Sequence, residues 1–136
     1  KYYIAHKAEY GYDSAVVAGL NKYVERNFET LKRAIKAKVK IAMGSDAVFS
    51  GFGENTRELK WFVKAGMTPE QALKTATCIG AEMLGMENEL GVIAEGYFAD
   101  IVAVEGDPTK DIDVVIDKVK WVMKGGKIEV DKIKKQ

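Results

Sequence analysis

The sequence predicts an α/β fold: helix, strand, helix, helix, then a small β-rich end. Three observations lead there. A long helical period over residues 14–37 runs into one short β-prone stretch, Val39–Met43, and two further helical patterns follow it. After about residue 88 the texture turns to short β segments, the last two joined by a Gly-Gly pair.

The elements follow in chain order. Residues 1–12 (KYYIAHKAEYGY) are aromatic-rich and show no period, which predicts a loop. From Asp13 onward Leu20, Val24, Phe28, Leu31 and Ile35 recur at steps of three or four and line one helix face. Glu25, Arg26, Glu29, Lys32 and Arg33 fill the other face, with Glu29 and Arg33 in the favourable i, i+4 order. Val39-Lys40-Ile41-Ala42-Met43 reads as a buried-type strand ending at Gly44-Ser45-Asp46, with a loop to Gly53. Asn55 with Glu58 marks a helix start, Leu59, Phe62 and Val63 give it an apolar face, and Gly66 follows its C-cap. Thr68-Pro69-Glu70-Gln71 is the strongest local signal: an N-cap, Pro at the first helical position and a capping-box Gln. That helix is expected to run to Leu84, closed by Gly85, with Ala72, Ala76 and Gly80 allowing close packing. Gly91–Ile93, Ala99–Val104, Val119–Lys124 and Lys127–Val130 read as four short strands. Gly125-Gly126 is a two-residue hairpin turn, because both positions need positive φ. Asp107-Pro108 breaks the chain, 109–117 is a loop with one helical turn, and the tail is solvated.

Composition excludes several classes. The chain has 136 residues, is 47% hydrophobic and 30% charged, and carries a formal net charge of +1. That balance suits one ordinary soluble domain and argues against a nucleic-acid or membrane-surface partner held by bulk charge. One cysteine excludes an internal disulfide or a Cys-cluster metal site, and one histidine excludes a self-contained multi-His site. No apolar run approaches the roughly 20 residues of a membrane span, and with no targeting signal the expected compartment is the cytoplasm. One lone parallel strand cannot make a sheet. A complete (β/α)8 barrel needs about 250 residues, so this chain cannot form one.

Among chemically capable residues Asp46 leads. It ends a buried-type strand and precedes a loop that leads into a helix, the edge where α/β barrels place catalytic groups. A carboxylate there can ligate a metal or carry a proton; equally, an Asp can cap the backbone N–H groups of its own loop. His6 has no partner at ligand spacing and reads as a surface or partly buried histidine. Cys78 reads as a packed thiol, Trp61, Phe62 and Trp121 as packing residues, and Asp100 and Asp107 as turn chemistry.

Taken together the motifs resemble a family. Ile41-Ala42-Met43-Gly44-Ser45-Asp46-Ala47 resembles the eighth barrel strand of metal-dependent amidohydrolases. Ala65 to Leu73 followed by Ala76-Thr77 resembles the helix pair after it. Leu90 to Gly96, Ala99 to Val104 and Asp107-Pro108 resemble the start of the family's C-terminal β segment, and Val122 to Ile128 its final hairpin. The imidazolonepropionase-like and Xaa-Pro-dipeptidase-like branch is the most similar.

The resemblance implies the C-terminal portion of a TIM-barrel hydrolase. Residues 1–87 would be the end of the barrel and 88–136 the C-terminal part of its small β-sandwich domain. It implies metal-assisted hydrolysis of amide, cyclic amide or dipeptide C–N bonds in a small-molecule substrate, with a divalent metal, zinc by preference, in the complete enzyme. The role of metal ligand and proton carrier falls on Asp46. The family's His-x-His on strand 1, its strand-4 lysine and its strand-5 and strand-6 histidines have no counterpart, and Phe52-Gly53 stands where relatives show His-Gly. The chain by itself is therefore expected to bind no catalytic metal and to be inactive. Its partner is expected to be the missing N-terminal part of the enzyme, or a second copy of itself. The alternative is a non-catalytic interaction or oligomerisation module derived from the same region.

Overall fold

The computed structural model describes residues 2–46 and 53–133. Two compact units divide the chain, residues 1–38 and 39–136.

The first unit is built around one long helix. Residues 1–12 are not simply a loop: Tyr2–Ala5 form a single helical turn, α1, and turns follow it. The Tyr3 and Tyr10 rings meet edge-on at 5.1 Å and Tyr10 lies 5.6 Å from Tyr12, so ring packing folds the segment back where no sequence period announces it. Helix α2, Ser14–Lys36, matches the expected range. Its N-cap Asp13 accepts a hydrogen bond from the Val16 N–H at 2.8 Å.

The second unit opens with Val39–Met43, which is not a strand. Among the described residues its only main-chain hydrogen bond to another main chain is Met43 N–H to Thr75 C=O at 2.9 Å. A β-prone sequence needs a neighbouring strand to pair with, and among the described residues none lies beside it. Helix α3, Arg57–Lys64, starts one residue later than an N-cap at Asn55 would give: Thr56 is the N-cap, without a side-chain bond, and the Asn55 side-chain N–H donates to Ser45 Oγ at 2.8 Å. Gly66 follows the C-cap Ala65 with φ +116°. At α4, Pro69–Ala76, the capping box is present in full: Gln71 N–H donates to Thr68 Oγ1, and the Thr68 N–H donates to the Gln71 side chain.

The expected continuous helix to Leu84 breaks at Thr77, and α5 spans Cys78–Leu84. The Thr75 and Thr77 hydroxyls donate back to the Ala72 and Leu73 carbonyls, and the Met43 N–H takes the Thr75 carbonyl that a continuous helix would use. Ala72 is fully buried as anticipated, whereas Ala76 is exposed. Gly85 closes α5 in the left-handed region.

Gly91–Ile93 forms no strand either. Gly91, at φ +95°, lies so close to the first turn of α5 that an added Cβ would stand 2.9 Å from Ala81 Cβ and Cys78 Cα. Strands β1 (Ile101–Val104), β2 (Val119–Lys124) and β3 (Lys127–Asp131) form an antiparallel sheet in the order β1-β2-β3. Ile101 faces Met123, and Val122 faces Val130. Gly125 and Gly126 turn the β2–β3 hairpin at φ +55° and +77°. The single helical turn expected within 109–117 is α6, Val114–Asp117. The core gathers Leu59 and Phe62 of α3, Ala72 and Thr75 of α4, Ala81 of α5, and Ile112 and Val114 around α6.

Candidate functional site

Residues 44–46 form the end of the unpaired stretch, and three features set their position. The Met43–Thr75 bond ties the stretch to α4. The Asn55–Ser45 bond ties its far end to the approach of α3. Asp46 itself takes a left-handed backbone, φ +47°, which Asp tolerates better than most residues. Its side chain is exposed and makes no hydrogen bond or ion pair with another described residue. Residues 47–52, including Phe52 of the Phe52-Gly53 pair, lie outside the described residues.

The other candidates are not brought to Asp46. His6 Nδ1 lies 2.8 Å from Glu9 Oε1 within the first unit. Cys78, half-buried, sits at the start of α5 with Sγ 3.9 Å from the Lys74 carbonyl. Phe62 is in the core, and Trp61 stacks under the Lys64 ammonium. Asp100 and Asp107 do turn chemistry. Asp100 Oδ1 accepts from Gly125 N–H at 2.6 Å, and that bond, aided by Lys124, holds its carboxyl below the ordinary range. Asp107 Oδ1 accepts from the Thr109 hydroxyl and N–H, which lowers its pKa in the same way.

One group passes unnoticed in the sequence beyond its helix-start signal. Glu58 is half-buried on α3, and desolvation pushes its carboxyl above the ordinary value. A shallow groove of about 490 Å³ lies elsewhere, lined by Lys40, Ala42, Ile79, Glu82, Met83 and Glu87, and the Lys40–Glu82 ion pair belongs to it.

No group of three or more His, Cys, Asp or Glu side chains able to hold a metal ion exists among the described residues. Zinc takes three or four protein ligands. The donor set of this chain does not fit a metal centre by itself.

The sequence profile of the amidohydrolase family matches residues 4–128, from α1 into the start of β3. The chain belongs to that family. Among curated amidohydrolase relatives, ochratoxinase of Aspergillus niger is 37% identical over 115 residues, which cover 82% of this chain and 24% of that protein. Imidazolonepropionase of Shouchella clausii is 26% identical over 135 residues, covering 94% of this chain and 30% of that protein. A solved Xaa-Pro dipeptidase with methionine bound in its active site superposes with a TM-score of 0.81 at 32% identity, over 94% of this chain and 32% of that one. The amidohydrolase fold seen here is thus α/β and corresponds to about a third of TIM-barrel structures. No helix among the described residues is long and apolar enough to cross a membrane.

Proposed function

We propose that these 136 residues are the C-terminal part of a metal-dependent amidohydrolase that hydrolyses amide, cyclic amide or dipeptide C–N bonds. Residues 1–87 supply the end of the barrel and residues 88–136 the C-terminal strands of its small β domain. Asp46 is the chain's contribution to the reaction centre, as a metal ligand whose carboxylate also carries a proton toward the leaving amine. One observation carries this reading: the family match spans residues 4 to 128 and has Asp46 within it. The names of the relatives, a dipeptidase and an imidazolonepropionase among them, support C–N bonds as the target.

This chain's own residues position Asp46 rather than complete a site. Met43 and Asn55 fix the stretch that carries it, and its exposed carboxylate is open to groups from outside. Alone, the chain is inactive, because the metal that supplies electrophilic and water-activating chemistry in this family finds too few donors here.

The test is complementation. The A. niger ochratoxinase with its matching region deleted is co-expressed with this chain, and the purified complex is assayed with zinc on Xaa-Pro dipeptides, N-acyl amino acids and cyclic amides. Hydrolysis by the complex, absent from either part, is expected. A folded complex with no hydrolysis on any of the three classes overturns the reading and favours a non-catalytic module.

A further inference from the structure

Val39–Met43 is β-prone in sequence yet carries no turn, helix or strand. No residue between Lys38 and Asp46 has a positive φ. Lys40 and Ala42 line the same groove, as alternate residues of an extended chain do. The Met43 N–H donates to the Thr75 carbonyl, which marks the edge that α4 occupies. Main-chain groups of successive residues in an extended chain point to opposite edges, so those of Lys40 and Ala42 point away from α4. Among the described residues they bond to no other main chain. Such an edge is a template for a second strand.

The stretch is complementary to itself. When two copies pair antiparallel about Ile41, Lys40 of each stands opposite Ala42 of the other, and each such pair exchanges main-chain N–H to C=O bonds. On one face Val39 meets Met43 and Ile41 meets its own counterpart, apolar against apolar. Val39 is 56% exposed in the single chain, so this pairing covers it. On the other face each copy's Lys40 enters the groove beside the other copy's Ala42. There Glu82 and Glu87 supply two carboxylates against one ammonium. Lys40 already pairs with Glu82 of its own chain, and the Glu87 side chain bonds no other described residue, which leaves it for the incoming lysine. A two-stranded ribbon is marginal in water unless it packs on a helix. Helix α5 gives that support through Ile79 and Met83, which line the groove.

We propose that Val39–Met43 is a self-association surface, on which two copies of this chain join as an antiparallel ribbon in register about Ile41, related by a twofold axis. It concerns the free chain and goes beyond the hydrolase reading without depending on it.

The test begins with sedimentation equilibrium of the 136-residue chain from about 5 to about 200 µM, because so small a patch gives micromolar rather than nanomolar affinity. A monomer–dimer equilibrium is expected. Ala42→Pro removes an N–H that bonds nothing among the described residues, and should weaken the dimer at least about tenfold with circular dichroism unchanged. Register is read by crosslinking in a Cys78→Ser background, which needs no fold-sensitive proline. Ile41→Cys should form a disulfide between copies on mild oxidation, because the two facing positions of a non-hydrogen-bonded pair lie within disulfide reach. Val102→Cys, exposed on β1, should crosslink far more slowly. A chain that stays monomeric over the whole range overturns the proposal. A folded Ala42→Pro variant that dimerises undiminished does the same, as does Ile41→Cys crosslinking no faster than Val102→Cys. A monomeric chain that still gains hydrolysis with the truncated ochratoxinase overturns this proposal and leaves the proposed function standing. A dimer in the stated register whose ochratoxinase complex shows no turnover does the reverse.

Discussion

Two stretches of this protein have the same β-prone character and different fates. Val39–Met43 and Val119–Lys124 are both short, apolar and punctuated by lysine. The second pairs on both sides, with Ile101–Val104 and with Lys127–Asp131. Among the described residues the first makes one main-chain bond, to a helix carbonyl. The difference lies in what the chain puts beside each. A Gly-Gly turn delivers a partner to Val119–Lys124 within two residues, whereas a lone parallel strand needs partners brought by crossover connections. The unpaired stretch is also the one that ends at Asp46. In this amidohydrolase chain the paired strands hold one another, whereas the stretch that leads to the proposed site residue is held by a helix.

Substitutions can break or sharpen that contrast. The largest effect is expected at Leu59, 2% exposed in the helical core: Leu59→Ala should cost about 2–5 kcal/mol in urea denaturation. Ile41→Ala, in the half-buried unpaired stretch, should cost less than half as much. Equal losses would mean that residues 39–43 are as integral as the core. Next comes Gly91→Ala, where the new Cβ meets Ala81 and Cys78 at 2.9 Å in a positive-φ backbone; a loss of about 1–3 kcal/mol is expected by the same assay. Thr68→Ala removes half of the capping box and should cost about 1 kcal/mol, read as a lower thermal midpoint.

The smallest effect concerns the sheet at low pH. Bonding to Gly125 and Lys124 holds the folded-state pKa of Asp100 below its unfolded value. Its contribution is therefore complete above the ordinary carboxyl range and is lost as pH falls through the lowered pKa. Asp100→Asn should lower the thermal midpoint at neutral pH and flatten its fall on acidification. An unchanged acid limb would show that Asp100 does not tie the hairpin.

Legibility in the sequence followed the range of the interactions. Local signals read well: the Asp13 cap, the Thr68-Pro69 box, the Gly125-Gly126 turn and the α2 period are all set within a few residues. Failures came where distant groups decide. The break at Thr77 depends on Met43 taking the Thr75 carbonyl, and Gly91 is bent onto α5 by packing. Asn55 reads as a cap, but the N-cap is Thr56 and the Asn55 side chain donates to Ser45 instead. Asp46 was legible as a candidate from its place after a β-prone run.

The most direct test of the account is the Asp46→Asn substitution in the complemented enzyme, with kcat/KM measured on whichever C–N substrate the complex cleaves. The account predicts a fall of about 10²-fold or more, with the complex still assembled. Turnover unchanged by Asp46→Asn would contradict it.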